Sequence, residues 1–345
     1  MKKREIWLDV LRILSAFLVI VNHTNSDVFR SVTPENGTWW FSILWYALSK
    51  VAVPLFVMVS GACLLGREDS FGKCMGRFVR MVVVLLVFSF LYYGFECWQA
   101  GQGIRLDILL ERIWAQEITD SFWYLYFYAG LMLMLPLLQR LSCAMRGRDL
   151  PYLVVMCIAF GSFGPFLEQI APAMALPSYL DVPLFSTYIG LFFAGWWIRR
   201  SAAASGKKQF LCALIVIACM AASVVLLRQN YAPGTKYWRF MDDRMHPGFL
   251  IVIAAMALAV LIKGLFSGLK SPRAARFLSS CGGCAFGIYL LQDWLIAQSE
   301  LRVFLPLCNV LPTFPAVVIW EVLLFLTALL AVWLVRLIPG VKKLI

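Results

Sequence analysis

Charged residues are scarce in this sequence. They make up 14% of its 345 residues, whereas hydrophobic residues make up 61%. A soluble domain has about 25% charged and about 45–50% apolar residues. The chain therefore has too few polar side chains to cover a surface exposed to water, which excludes a soluble globular protein. The composition predicts an all-α, polytopic membrane helical bundle.

Histidine is scarcer still, because it occurs only at His23 and His246. Two histidines cannot build a multi-histidine metal centre, so we predict no metal site and no permanently bound cofactor. The sequence also lacks the GxSxG, GxxxxGK[ST] and HExxH signatures of common soluble enzymes. The net charge of +12 does not indicate a nucleic-acid partner, because the basic residues form short clusters between apolar segments.

Apolar stretches recur along the chain, and a transmembrane helix needs about 20 such residues. Lys and Arg concentrate in alternate loops, beginning with the MKKR start, and cytoplasmic loops carry such an excess. We therefore predict about ten helices in one membrane domain, residues 1–345, with both termini cytoplasmic. The predicted stretches are 6–25, 39–65, 78–98, 122–141, 150–170, 182–199, 209–228, 247–267, 281–299 and 315–337.

Most of the ten cysteines lie within apolar stretches, where cysteine behaves as a small hydrophobic residue. Cys281 and Cys284 form a CxxC pair around two glycines. A redox or metal role is one interpretation of this pair. Small residues that permit close packing of helices are the other, and the absence of a second pair favours it.

Arg12 and His23 stand in the first apolar stretch, separated by ten residues. Eleven steps of about 100° bring the two side chains onto one helix face, about 16 Å apart along the axis. A charge within a bilayer is costly, so both are functional candidates. Asp9 is placed to pair with Arg12, and Asp27 to orient the imidazole of His23. The alternative is that Arg12 extends to the inner headgroups while His23 caps a helix end.

Further polar residues lie in or beside the apolar stretches. Arg77 and Arg80 begin the third helix, where they are placed to bind phosphate groups or to act as ordinary cytoplasmic anchors. Pro54 and Gly61 predict a bend or close packing in the second stretch. The remaining polar candidates, which are compatible with a hydrated cavity or with structural hydrogen bonds, are Lys50, Gln292, Asp293, Glu321 and the loop residue His246.

Several of these segments resemble the membrane acyltransferase 3 family. "LDVLRILSAFLVIVNHT" is similar to its arginine–ten residues–histidine helix, with Arg12 and His23 on the matching positions. "VPLFVMVSGACLL", "GRFVRMVVVLL", "FWYLYFYAGLMLMLPLL" and "CAFGIYLLQDWLI" follow in the family's order, with Arg77 and Arg80 in the second of these. The last segment departs from the family, which commonly has a histidine where this chain has Gln292.

The resemblance implies transfer of an acyl group, usually acetyl, from cytoplasmic acyl-coenzyme A as co-substrate. The acceptor would be a hydroxyl of an extracytoplasmic or lipid-linked sugar or cell-wall precursor at a bacterial plasma membrane. Arg12, Arg77 and Arg80 would bind the donor phosphates. His23 would act as base or acyl carrier, Asp27 would orient it, and the loop with His246 would shape the acceptor entrance.

Two alternatives to an acyltransferase remain from the sequence. The first is a transporter or flippase for an amino acid or glycan precursor, in which the same polar face would line a translocation path. The second is an inactive regulatory relative, for which Gln292 is the indication.

Overall fold

A computed structural model describes residues 5–171, 173, 186–232, 248–338 and 340, without the side chains of residues 25–31. The described residues form helices and no strands, as an all-α bundle predicts. Nine helical segments among them are long and apolar enough to cross a membrane. The helices are α1 Ile6–Ser31, α2 Gly37–Ser49, α3 Ala52–Leu64, α4 Phe71–Gln99, α5 Leu106–Ala115, α6 Trp123–Ala144, α7 Asp149–Ile158, α8 Gly164–Ile170, α9 Thr187–Arg200, α10 Gly206–Gln229, α11 Phe249–Phe266, α12 Pro272–Ser299, α13 Leu305–Cys308 and α14 Thr313–Val335.

Helix α1 lies at the centre of the bundle, packed against α2, α3, α11, α12 and α14. Pairs of helices surround it: α3 packs on α9, α4 on α6, α7 on α9, and α10 on α11. The side chains that face outward are mostly large and apolar, for example Val83, Leu137 and Leu326. Such a surface is stable in lipid rather than in water, in agreement with the composition.

Glycines allow two helices to cross very closely. A Cβ atom on Gly61 of α3 would overlap the backbone carbonyl of Phe192, and one on Gly195 of α9 would overlap that of Met58. The backbones of α3 and α9 therefore touch at two points where only glycine fits. This confirms the close packing predicted at Gly61. It also explains why α9 is almost entirely buried.

The second apolar stretch is not one straight helix. It consists of α2 and α3, which meet at Lys50 and Val51 in a short turn. Together they form one candidate span, Gly37–Leu64. The break lies before the Pro54–Gly61 segment, which is itself continuous helix, because proline fits the first turn of α3.

The sixth predicted stretch, 182–199, lies partly outside the described residues, which resume at residue 186. Its described part is α9, which has 14 residues and is too short to count among the nine candidate spans. Lys263 of α11 ends this helix, because its buried ammonium donates hydrogen bonds to the carbonyls of Ile198 at 2.7 Å and Arg199 at 3.0 Å. A lysine that the sequence indicated as a topology signal is therefore also a helix cap.

Candidate active site

Contacts near both ends of α1, α12 and α14 show the relative directions of these three helices. Near the start of α1 the hydroxyl of Ser279 donates to Asp9 at 2.9 Å, and a Cβ on Gly282 would lie 2.7 Å from the Asp9 side chain. Near the other end, Thr24 of α1 and Ser299 of α12 bind the adjacent α14 residues Glu321 and Trp320. Helices α1 and α12 therefore run in parallel, and α14 runs against them.

The same packing shows a structural role for the Cys281–Cys284 segment. Both cysteines are buried, and the two glycines between them allow Asp9 and Arg336 to approach α12. The interpretation as small residues for close helix packing is confirmed.

A cavity of about 430 Å³ opens near the beginnings of α1 and α12 and the end of α14. Three arginines line it: Arg12 of α1, Arg80 of α4 and Arg336 at the end of α14. Tyr124, Tyr128, Tyr289 and Phe56 are among the aromatic residues of the wall, with glycines and a serine between them. Three guanidinium groups, with no carboxylate among the described residues of the wall, form a site suited to a polyanion such as a phosphate ester.

Arg12 is held in this cavity by a buried partner. Its Nη1 donates to Oδ1 of Asp9 at 2.7 Å, and its Nη2 lies 3.1 Å from the sulfur of Cys63. The Asp9 side chain is fully buried, whereas that of Arg12 is 29% exposed. Asp9 therefore fixes the direction of the guanidinium while leaving part of it open to a ligand. The predicted Asp9–Arg12 pair is confirmed.

The guanidinium of Arg336 reaches the cavity by crossing the surface of α12 at Gly283, which has no side chain. A Cβ on Gly283 would lie 2.7 Å from its Nη1, so this guanidinium rests directly on the glycine. Its Nη1 contacts the sulfur of Cys284 at 3.6 Å, and its buried Nε has no hydrogen-bond partner within the described part of the chain. Arg336 was not among the site residues predicted from the sequence. Nothing in the local sequence distinguishes it, because its position depends on the α12–α14 contact.

Arg77 lies outside this arrangement. Its Nη2 pairs with Asp69 at 2.8 Å, and it is not among the described residues that line the cavity. Asp69 also binds Lys73 at 2.6 Å and accepts from Gln139 at 3.2 Å. The structure therefore brings Arg12 and Arg80 together, and it places Arg77 in an ion-pair cluster that joins the α3–α4 loop to α6.

The outer end of α1 carries His23, which is half-buried. The next residue, Thr24, donates to Glu321 at 2.8 Å, and Trp45 donates to the other carboxylate oxygen at 2.8 Å. Glu321 is fully buried. This cluster fixes the level and rotation of the helix turn that holds His23.

Three further predicted residues occupy different positions. The ammonium of Lys50 lies 4.2 Å from the ring centroid of Tyr46 at the α2–α3 junction. Asp293 accepts hydrogen bonds from Thr119 and Ser121, both at 2.5 Å, and so ties α12 to the segment before α6. Gln292 is buried inside α12. Two other predicted residues, His246 and the side chain of Asp27, lie outside the described residues.

Comparison with protein families gives one match. A family model described as an acyltransferase domain, Acyl_transf_3, matches residues 5–336, which is nearly the whole chain. The chain belongs to the acyltransferase 3 family. Its members are membrane acyltransferases, so a lipid bilayer, an acyl donor and an acyl acceptor are implied for this multi-pass protein. No curated protein and no solved structure matched the chain significantly.

Proposed function

We propose that this acyltransferase moves an acetyl or other acyl group from cytoplasmic acyl-coenzyme A to a hydroxyl group on the outer side of the membrane. The observation that carries the proposal is the convergence of Arg12, Arg80 and Arg336 on one cavity. Coenzyme A carries a diphosphate and a further phosphate, and guanidinium groups bind such oxygens with charge-assisted hydrogen bonds. The aromatic wall of the cavity suits stacking with the adenine ring.

The separation of Arg12 and His23 supports the same donor. Eleven helical residues place them about 16 Å apart along α1. A long, narrow donor whose phosphates bind at the cavity can extend its thioester end toward His23. The imidazole would then remove the proton of the acceptor hydroxyl as that oxygen attacks the thioester carbon. The acceptor class that we propose is a sugar or cell-envelope precursor, and the membrane is a bacterial plasma membrane.

Binding of acetyl-coenzyme A to the purified protein in lipid nanodiscs tests the donor site. Loss of one charged hydrogen bond costs about 1.5–3 kcal/mol, which corresponds to about a tenfold weaker affinity or more. We expect the affinity for acetyl-coenzyme A to fall by this factor in each of the variants Arg12→Ala, Arg80→Ala and Arg336→Ala. The matched control is Arg140→Ala, because Arg140 is an exposed cytoplasmic-side residue of α6 that does not line the cavity. Unchanged affinity in all three cavity variants would overturn the donor site.

Transfer itself is tested in inside-out vesicles supplied with acetyl-coenzyme A that is radiolabelled in the acetyl group. The label should enter envelope glycans with the native protein. With His23→Ala it should not, although this variant should still bind the donor. Vesicles that move a glycan precursor without acetylating it, and a purified protein that does not bind the donor, would support a transporter instead.

A further inference from the structure

Gln292 has a buried amide without a partner. Its side chain is 1% exposed, and neither Oε1 nor Nε2 has a hydrogen-bond partner within the described part of the chain. Leaving both atoms of a buried amide unpaired costs free energy, since water would otherwise bind them. A buried polar group of this kind calls for an explanation, and a partner supplied by another molecule is one.

Gln139 shows what a structural glutamine looks like in the same protein. It is also 1% exposed. Its Nε2 donates to the carbonyl of Leu64 at 2.8 Å, and its Oε1 accepts from the backbone of Asp69 at 3.0 Å. The two glutamines are equally buried, but only Gln139 has hydrogen-bond partners for its amide among the described residues. Gln139 holds the fold together, whereas the amide of Gln292 contributes no such contact.

Gln292 lies farther along α12 than the residues of this helix that line the cavity. Ala285 and Tyr289 of this helix line the cavity. Gln292 follows Ala285 by seven residues, which places it within about 20° of the same direction and about 10 Å farther along the axis. Tyr289 lies one turn below it and is fixed by a hydrogen bond to the carbonyl of Ser121 at 2.6 Å. Gln292 is not among the described residues that line the cavity, and helical geometry places it beyond Ala285 on nearly the same face of α12.

The depth of Gln292 also matches that of His23. Asp9 and Gly282 are in contact where the parallel helices α1 and α12 begin. His23 is fourteen residues beyond Asp9 and within about 40° of its direction, and Gln292 is ten residues beyond Gly282. The two side chains consequently differ by only about 6 Å in depth. In depth, Gln292 therefore lies between the cavity and His23, at a level that a donor extending from one to the other would pass.

We propose that Gln292 is a catalytic residue whose Nε2 donates a hydrogen bond to the carbonyl oxygen of the bound thioester. The inference rests on the proposed acyltransferase function and adds a role for this residue. As the acceptor oxygen bonds to the acyl carbon, the carbonyl electron pair moves to oxygen, and His23 takes the hydroxyl proton. Gln292 stabilises the resulting oxyanion. Collapse restores the carbonyl, breaks the carbon–sulfur bond and releases coenzyme A, whose thiolate takes the proton from His23.

Isotope-edited infrared spectroscopy with [1-13C]acetyl-coenzyme A tests this contact without requiring the acceptor. A hydrogen bond lowers the stretching frequency of a carbonyl group. In Gln292→Met, which keeps the size of the side chain, the band of the bound donor should move to higher wavenumber. Gln292→His, which retains an N–H donor, should restore part of the shift. The Gln139→Met variant is the control and should leave the band unchanged.

Thermal unfolding separates a catalytic from a structural role. Because the amide of Gln292 has no hydrogen-bond partner among the described residues, Gln292→Met should unfold at the native temperature or above it, whereas Gln139→Met should unfold at a lower temperature. Bound donor with the same carbonyl band in native protein and Gln292→Met would overturn the inference and leave the proposed function standing. A native protein that does not bind acetyl-coenzyme A at all would overturn both.

Discussion

Arg336 and Gly283 are in close contact. The guanidinium of Arg336 occupies the space that a side chain at position 283 would fill. A Cβ atom at position 283 would lie 2.7 Å from Nη1 and 3.3 Å from Nη2 of Arg336. The atoms that a new methyl group would displace are therefore the ends of a flexible side chain, and not backbone.

This contact predicts a variant that damages the cavity without damaging the fold. In Gly283→Ala the guanidinium of Arg336 must move, so affinity for coenzyme A should fall by about tenfold, the effect of one lost charged contact. The unfolding temperature should stay close to that of the native protein. Gly76→Ala is the matched control, because a Cβ there meets nothing within 4 Å. Equal affinity in the two variants would contradict the placement of Arg336.

The α3–α9 crossing predicts the opposite effect. In Gly61→Ala and Gly195→Ala the new methyl group would overlap backbone atoms of Phe192 or Met58, which cannot move alone. Overpacking of this kind lowers the free energy of unfolding by about 1–3 kcal/mol. Because the contact is with backbone atoms, we expect a loss at or above the upper end of this range. Unfolding in a graded detergent series measures the loss. Gly130→Ala in α6 has free space and should be neutral or slightly stabilising.

The hydrogen bonds of Glu321 predict a small loss of stability for one substitution at this position and a larger loss for another. It accepts hydrogen bonds from Thr24 and Trp45, both neutral groups, and no cationic side chain is recorded against it within the described residues. Glu321→Gln keeps an oxygen acceptor and should change the free energy of unfolding by less than about 1 kcal/mol. Glu321→Leu leaves the Trp45 indole N–H unpaired and should cost about 1–3 kcal/mol. If the glutamine variant is the less stable of the two, the carboxylate contributes through its charge instead.

The ion-pair cluster around Asp69 predicts a dependence on pH. The ammonium of Lys73, followed by Gln139, Arg77 and Arg67, holds the pKa of the Asp69 carboxyl below its ordinary value, against the opposing effect of burial. A carboxyl with a lowered pKa stabilises the folded state at neutral pH, and this contribution is lost as the pH falls below its ordinary pKa of about 3.9.

Thermal unfolding of the Asp69→Asn variant measures this contribution. The variant should be less stable than the native protein at pH 7, and the difference should narrow below about pH 4. The control is Glu68→Gln at the exposed neighbouring position. A difference that stayed constant with pH would show that the charge of Asp69 is not what stabilises the loop.

The sequence was sufficient for the fold class and for two of the three arginines that line the cavity, Arg12 and Arg80. Composition alone identified a membrane bundle, and helical spacing identified Arg12 together with its partner Asp9, because these features depend on local periodicity. The third arginine, Arg336, was missed since it joins the site only through the contact of α14 with Gly283. Arg77 and Arg80 looked equivalent in sequence. Asp69, eight residues before Arg77, separates them in the structure.

The three arginines of the cavity, at positions 12, 80 and 336, belong to α1, α4 and the end of α14, which are far apart in the sequence. A ligand that bound all three would connect helices that enter the membrane at different times during synthesis. Coenzyme A would then act as a non-covalent cross-link of the assembled bundle, and its saturation would raise resistance to unfolding according to concentration and affinity. An empty cavity would leave these helix ends held only by their own contacts.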